Sequence, residues 1–281
     1  MTPQDFSPDD PQLDNPFEID TTVAHPARRY NYYLGGTDNF EADRISGDAG
    51  LAAFPTVKIS VTENRRFLRR AVTYLVEEAG IRQFLDIGTG IPAANNVHEV
   101  AQSIAPDARV VYVDNDPIVL AHARRLLSKE NGGATTYIHA DLRDPKAILD
   151  NSLLRETLDL SRPVALMMVA VLHFIEDSEA YECVAKLAGA LAPGSYLAMS
   201  HGTRDFMSQE ERERFDSWAE RDRSRDPAVT RDRAGVTRFF DGMRLVPPGV
   251  AALPEWRSEI APDERPTAAD TGFYAAVARI S

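Results

Sequence analysis

The sequence predicts an α/β fold built on a mostly parallel sheet with helices on both faces. Two observations carry this expectation. From about residue 60 onward, short apolar runs alternate with amphipathic helical stretches, the pattern of βαβ units. The run VALMMVAVL (Val164–Leu172) is apolar without alternation, as a central strand covered on both faces requires.

The elements can be justified in order. Residues 1–22 carry Pro3, Pro8, Pro11 and Pro16 among acids and few apolar side chains, so a disordered acidic tail is expected. Residues 23–59 hold the aromatic-rich block HPARRYNYYLGGTDNFEADRISGDAGLAAFPTVK, broken by Gly35-Gly36, which reads as short helices joined by loops. Ser60 and Glu63 have the S-x-x-E spacing of a capping box. Phe67, Leu68, Ala71, Val72, Leu75, Val76 and Ala79 then recur on one helical face, and Gly80 suits the C′ position. The spacing predicts an amphipathic helix over 61–79.

Next come a strand at Gln83–Ile87, a glycine-containing turn, and a helix near 92–104 with Pro92 in its first turn. A strand at Val110–Val113, a helix at Pro117–Lys129 and a short strand at Thr136–His139 follow. After the long apolar run, a helix near 178–191 leads to a strand at Ser195–Ser200. Residues 205–233 are charge-dense and read as a solvated helical insertion. RLVPPGVAALPEW and GFYAAVARI read as two closing strands.

Composition removes several function classes. The 281 residues are 43% hydrophobic and 26% charged, which suits one large domain or a domain with a cap. No run of about 18 apolar residues exists, so no membrane span is expected. The acidic N-terminus lacks an apolar signal region, and the single cysteine, Cys183, excludes an internal disulfide framework or a cysteine-based zinc site. A cytoplasmic home is the expectation. His25, His98, His122 and His139 have no metal-ligand grouping, so no metal is expected. The net charge of −12 disfavours a nucleic-acid partner, and no basic cluster is interleaved with aromatics.

Phe84-Leu-Asp-Ile-Gly-Thr-Gly90 is the informative segment. Asp86 stands near the end of a strand, and Gly88 and Gly90 allow a tight turn with backbone N–H groups close to a ligand. Asp114 closes VVYVD, where an acid accepts hydrogen bonds from ribose hydroxyls in doubly wound sheets. Asp141 follows the next strand and can accept from the adenine amine. Gly88-Thr-Gly90-Ile-Pro-Ala93 also satisfies the loose dinucleotide pattern G-x-G-x-x-A. A pyrophosphate, however, is poorly served by a carboxylate just before the glycines. The ammonium of S-adenosylmethionine (SAM) is well served by it, and SAM also carries a ribose and an adenine amine. One acid per group, on three consecutive strands, therefore favours SAM.

At this point the sequence resembles a class I SAM-dependent methyltransferase, over roughly residues 60–281. More narrowly it is similar to an actinobacterial SAM-methyltransferase-like family of unknown function. The residues that carry the likeness are ARRYNYYLGGTDNFEADR (27–44), FLDIGTGIPAANNVHEVA, VVYVDNDPIVLAHAR, HADLRDP, VLHFIED, PGSYLAMSH and FFDGMRLVPPGV. The resemblance implies a Rossmann-like seven-stranded sheet with the last strand antiparallel, and a lid formed by residues 25–58. It implies that Gly88 and Gly90, with Thr89 between them, lie beside the methionine part. Asp114 would bind the ribose, with Asn115 beside the adenine. Asp141 and Leu142 would hold the adenine edge, and Val169 and Ala170 would line the cofactor. Many class I enzymes begin the fourth strand with an aspartate; here the residue is Val164.

Methyl transfer needs alignment and a dry site more than it needs catalytic groups, and a base only where the nucleophile starts protonated. His173, just past the fourth strand, is the first candidate base, and His201 lies on the same edge. Tyr30, Tyr32 and Tyr33 are candidates to stack on adenine or shield the sulfonium, with Tyr32 taken as the second catalytic candidate. Arg28 or Arg29 could bind the cofactor carboxylate, and Asp38 and Asn39 could orient a substrate. Ala170–Phe174 lacks the Asp/Asn-Pro-Pro-aromatic run of amino-methylating DNA enzymes, and Cys183 in a predicted helix is misplaced for cytosine-C5 chemistry. The expected function is methyl transfer from SAM to an O or N atom of a small molecule under the lid. The alternatives are a SAM-binding protein without turnover and an NAD(P)-dependent oxidoreductase. The oligomeric state is not legible.

Overall fold

The computed structural model describes residues 19–127, 135–222 and 228–281. Of the expected tail only residues 19–22 fall within them, and Lys129 of the expected fifth helix lies outside.

Three helices come first: α1 (Pro26–Tyr33), α2 (Glu41–Ala53) and α3 (Val57–Glu77). Then β1 (Gln83–Ile87), α4 (Val97–Ile104), β2 (Arg109–Asp114), α5 (Pro117–Leu127) and β3 (Thr135–His139) alternate. Helices α6 (Pro145–Asp150) and α7 (Ser152–Thr157) precede β4 (Ala165–Val169). Helix α8 (Asp177–Gly189) leads to β5 (Tyr196–Gly202), followed by α9 (Gln209–Ala219) and α10 (Arg233–Arg238). The chain closes with β6 (Arg244–Leu245), β7 (Ala251–Ala252), α11 (Ala268–Thr271) and β8 (Phe273–Arg279).

The sheet order is β3-β2-β1-β4-β5-β8-β6, with β7 also on β8. Strands β1 to β5 pair in parallel, and β8 is antiparallel to β5. The expected seven strands are therefore eight. Pro247-Pro248 explains the difference: proline offers no N–H to a ladder, so the expected single strand over 244–256 breaks into β6 and β7. After β1 the chain winds outward through β2 and β3, then returns to place β4 on the other side of β1. The crevice at the carboxyl ends of β1 and β4 is thus the topological switch point, where open α/β sheets bind ligands.

Alternation along β4 explains its unbroken apolar character, which β1 shares apart from Gln83 and Asp86. Leu85, Ile87, Leu166 and Met168 face a core formed with Leu154, Val184, Leu187 and Val236. Phe84, Ala165 and Met167 face the opposite core with Phe67, Leu75, Val97 and Trp256. Both faces are apolar because both are covered.

Two local expectations are corrected. Helix α3 starts at Val57 rather than 61, so Ser60 and Glu63 lie inside it and form no capping box. The Ser60 hydroxyl instead donates to the Thr271 carbonyl (2.6 Å), and Glu63 accepts from buried Arg70 (2.8 Å). Arg70 in turn donates to the carbonyls of Trp256 and Leu253, tying α3 to the segment after β7. Helix α4 starts at Val97, not 92, because the capping pair is Asn96 with Glu99, whose carboxylate accepts the Asn96 N–H at 2.8 Å. Pro92 therefore lies in the loop. Gly80 takes φ +70° and ends α3 as its position in sequence suggests.

Candidate active site

One cavity opens along the carboxyl edge of the sheet. Its volume is about 260 Å³. Asp86, Gly88, Thr89, Gly90, Asp114, Asn115, Asp141, Leu142, Val169 and Ala170 all line it, and so does His173. These residues come from four strand ends that are distant in sequence and adjacent in the sheet.

The glycine turn is built for close approach. The N–H groups of Gly88 and Thr89 donate to the Val113 carbonyl at 2.8 and 3.3 Å, so the turn leans on β2. Gly88 has φ +71°, and a Cβ there would stand 2.3 Å from a Val171 methyl. Gly90 has φ +68° with nothing within 4 Å of where a Cβ would stand. Its N–H donates to Asp114 Oδ2 at 2.8 Å. At the end of β4, Ala170 takes φ +57°, a region an L side chain rarely adopts. Its N–H donates to the Ser200 hydroxyl (3.0 Å), which donates to Asn64 Oδ1 of α3 (2.6 Å).

The three acids sit in unlike fields. Burial lifts the Asp86 carboxyl to about 7, against the opposing Arg65 charge and a hydrogen bond from Thr89. Burial also lifts Asp114 to about 6, although the N–H groups of Asp116 and Gly90 donate to it. At Asp141 burial is outweighed by the Arg143 N–H, the Asn115 amide (2.9 Å) and the Arg143 charge, which hold it below the ordinary value. Two desolvated carboxyls facing one cavity make a site that favours a cation.

Arg65 of α3 supplies the opposite charge. It lines the cavity and donates to the Ala94 carbonyl (2.9 Å) and Asn96 Oδ1 (3.2 Å), while its buried Nε has no partner. Sequence reasoning placed this role on Arg28 or Arg29. Arg28 does not line the cavity; it makes a bidentate pair with buried Asp116 (2.9 and 3.0 Å). Arg29 lines the cavity but donates to Asp222 (3.0 Å) and Ser46 (3.1 Å). The cavity lining thus offers both buried carboxyls and a guanidinium.

His173 sits in a single 3₁₀ turn, Leu172–Phe174, just after β4. It is 8% exposed, and its Nδ1 has no partner. Burial, followed by His201 and Arg231, pushes its pKa well below the ordinary value, so the ring is neutral. His201 is different. Arg231 donates to its Nε2 (2.7 Å), so its Nδ1–H donates to the Gly202 carbonyl (2.8 Å), and it does not line the cavity. Burial holds it neutral with a pKa of about 4.

Tyr32 is not in the cavity. It lies on the outer side of α1, where its hydroxyl donates to Asp48 (2.7 Å). The helical turn that carries Tyr32 outward turns Tyr30 and Tyr33 inward, and both line the cavity. Asn39 is spent locally: its amide donates to Asn31 and to the Gly36 carbonyl. Neither Asp38 nor Asn39 lines the cavity. The charged insertion, expected to be solvated, presents Phe215 and Trp218 of α9 to it. Asn64, Arg65, Phe215 and Trp218 were missed because no local motif marks them.

A family model described as S-adenosyl methyltransferase matches residues 12–281. Among solved structures, a DUF574-family protein from Streptomyces avermitilis is 46% identical, with a TM-score of 0.87, covering 94% of this chain and 100% of that one. A candidate methyltransferase from Thermobifida fusca is 40% identical, with a TM-score of 0.85, covering 93% and 97%. Magnesium protoporphyrin IX methyltransferase from Synechocystis, solved with S-adenosylhomocysteine, shares the fold at 13% identity and a TM-score of 0.55, covering 90% and 93%. Among curated proteins no significant match is found. Among the described residues no helix is long and apolar enough to cross a membrane. The mostly parallel sheet is thus that of a SAM-dependent methyltransferase, and the chain belongs to the S-adenosyl methyltransferase family.

Proposed function

We propose that this chain transfers the methyl group of SAM to an O or N atom of a small molecule held under its N-terminal helices. The observation that carries the reading is a shared cavity. The glycine turn, the three acids and a neutral, unpartnered imidazole all open into the same space, walled by residues of α1 and α2.

In this reading Asp86 faces the ammonium and Arg65 the carboxylate of the methionine part, beside Gly88, Thr89 and Gly90. The fit is chemical: buried Arg65 Nε lacks a partner, and the raised Asp86 and Asp114 carboxyls gain a cation to ionise against. Asp114 accepts from the ribose. Asn115, Asp141 and Leu142 hold the adenine, while Val169 and Ala170 line its course. SAM supplies a methyl already activated by its sulfonium, so the chain's task is alignment and exclusion of water. The His173 imidazole accepts the acceptor's proton.

Residues 23–59 act as a lid on residues 60–281. The Arg28–Asp116 pair tethers the lid to the strand-end acids, since Asp116 also donates its N–H to Asp114 (2.9 Å). A long polymer does not suit a covered cavity on a chain of net charge −12. The single cysteine agrees with a cytoplasmic home.

The test is calorimetric titration with SAM, S-adenosylhomocysteine and NAD, followed by an acceptor screen with methyl-labelled SAM. Micromolar binding of the two S-adenosyl ligands, NAD silence and label transfer to a small molecule are expected. Binding without transfer to any acceptor would favour the SAM-binding protein without turnover.

A further inference from the structure

We propose that the methyl acceptor is an uncharged phenol, seated between the N-terminal helices and α9; this rests on the methyl-transfer reading above.

The cavity has two chemically distinct halves. Asp86, Asp114, Asp141 and Arg143 lie with the glycine turn and the ends of β1 to β3. The other half is walled by Tyr33, Phe54, Met207, Phe215, Trp218 and Phe273. Several of these side chains lie close around the same glycines and rings. A Cβ on Gly50 would stand 2.3 Å from the Tyr33 hydroxyl and 3.9 Å from the Trp218 ring. A Cβ on Gly272 would stand 3.3 Å from the Phe54 ring. Phe215 and Trp218 are 5.3 Å apart between ring centres, and Phe273 lies edge-on to His173 at 5.4 Å. A wall of rings around a narrow space selects a flat, polarisable ligand over a saturated one.

Charge is absent from this half except where it is already matched. Among the described residues that line it, the cation is Arg29, paired with Asp222. An alkylammonium would find no unmatched carboxylate there, and a carboxylate no unmatched cation. Either would lose its hydration without compensation.

Among the described residues, the hydroxyls of Thr203 and Thr230 also line the cavity, and the imidazole of His173, beside Phe273 and 92% shielded, is the ring left to orient a ligand. As a neutral acceptor it matches one hydroxyl donor. The acceptor oxygen bonds to the methyl carbon as the carbon–sulfur bond breaks, and S-adenosylhomocysteine leaves. The hydroxyl proton passes to the His173 imidazole. The sulfonium charge disappears in the same step, so the imidazolium forms when the neighbouring cation is discharged. A weak base in an apolar site suits a phenol, with a pKa near 10, far better than an alkanol.

The test compares three compounds of one size by equilibrium dialysis against protein saturated with S-adenosylhomocysteine: 2-naphthol, decahydro-2-naphthol and 2-naphthylmethylamine. The expected result is that 2-naphthol binds at least about tenfold more tightly than either, the scale of one or two aromatic contacts. Trp218→Leu should erase that preference while keeping affinity for S-adenosylhomocysteine. Equal or tighter binding of the saturated alcohol or the amine would overturn the proposal. So would no naphthol binding by wild-type protein that does bind S-adenosylhomocysteine. Failure to bind S-adenosylhomocysteine itself would instead overturn the methyl-transfer reading.

Discussion

Replacing Asp86 with asparagine separates what the carboxyl does for the cofactor from what it does to the empty fold. Burial lifts this carboxyl from 3.8 to about 7. The folded state therefore holds the proton more tightly than the unfolded state. Its stabilising contribution is complete below pH 4 and is lost as pH rises through 7. A shift of about three units, at about 1.4 kcal/mol each, puts the cost of ionisation at pH 8 near 4 kcal/mol as an upper figure. Asparagine in the same place has no charge to desolvate. Ligand-free Asp86→Asn is expected to melt up to about 8 °C higher than wild type at pH 8, taking about 2 °C per kcal/mol for a chain of this size. That gain should shrink to nothing near pH 4. The same change removes the counter-charge for the ammonium. A charge-assisted hydrogen bond of about 1.5–3 kcal/mol corresponds to a ten- to hundredfold loss of SAM affinity. Melting curves from pH 4 to 8 and calorimetric titrations measure both. A variant less stable than wild type at pH 8, or one that binds SAM as tightly, would refute the reasoning.

Other perturbations test other parts of the account. Wild-type affinity for SAM should rise at least about tenfold per pH unit between pH 5.5 and 6.5, with proton release on binding, because Asp86 and Asp114 must ionise; a flat pH profile by calorimetry contradicts this. Gly88→Ala puts a methyl 2.3 Å from Val171 at φ +71°, so a loss of more than about 2 kcal/mol in denaturant melts and loss of cofactor binding are expected. Arg28→Met leaves Asp116 buried without its bidentate partner and should cost about 3–5 kcal/mol, seen first as proteolysis near residue 36. His173→Gln should lower kcat about a hundredfold or more while affinity for S-adenosylhomocysteine is unchanged, and the wild-type kcat at saturating SAM should stay level as pH falls through 6.5 because the imidazole titrates well below that value.

The sequence made some of this legible and concealed the rest, for physical reasons. Asp86, the Gly88–Gly90 turn, Asp114 and Asp141 close successive parallel strands, so their spacing alone brings them to one edge. The sheet's covered faces show in the unbroken apolar run of β4. The broken closing strand was signalled by Pro247-Pro248, but two-residue pairings carry too little pattern to be read. Ser60 and Glu63 mimic a cap because a tertiary contact to Thr271 and the Arg70 pair use the same residue types. Tyr32 and Tyr33 are adjacent in sequence, and only the helix phase of α1 decides which faces the cavity. Arg65, Phe215 and Trp218 act across long sequence separations, which no local motif encodes.

The central claim is that one cavity binds the S-adenosyl group through residues of four strand ends and α3. A crystal structure with S-adenosylhomocysteine tests it most directly. The account predicts the ribose hydroxyls on Asp114, the adenine between Asn115 and Leu142 with its amine toward Asp141, and the methionine carboxylate on Arg65. A ligand bound elsewhere, or in this cavity with its adenine among Phe54, Phe215 and Trp218, would contradict it.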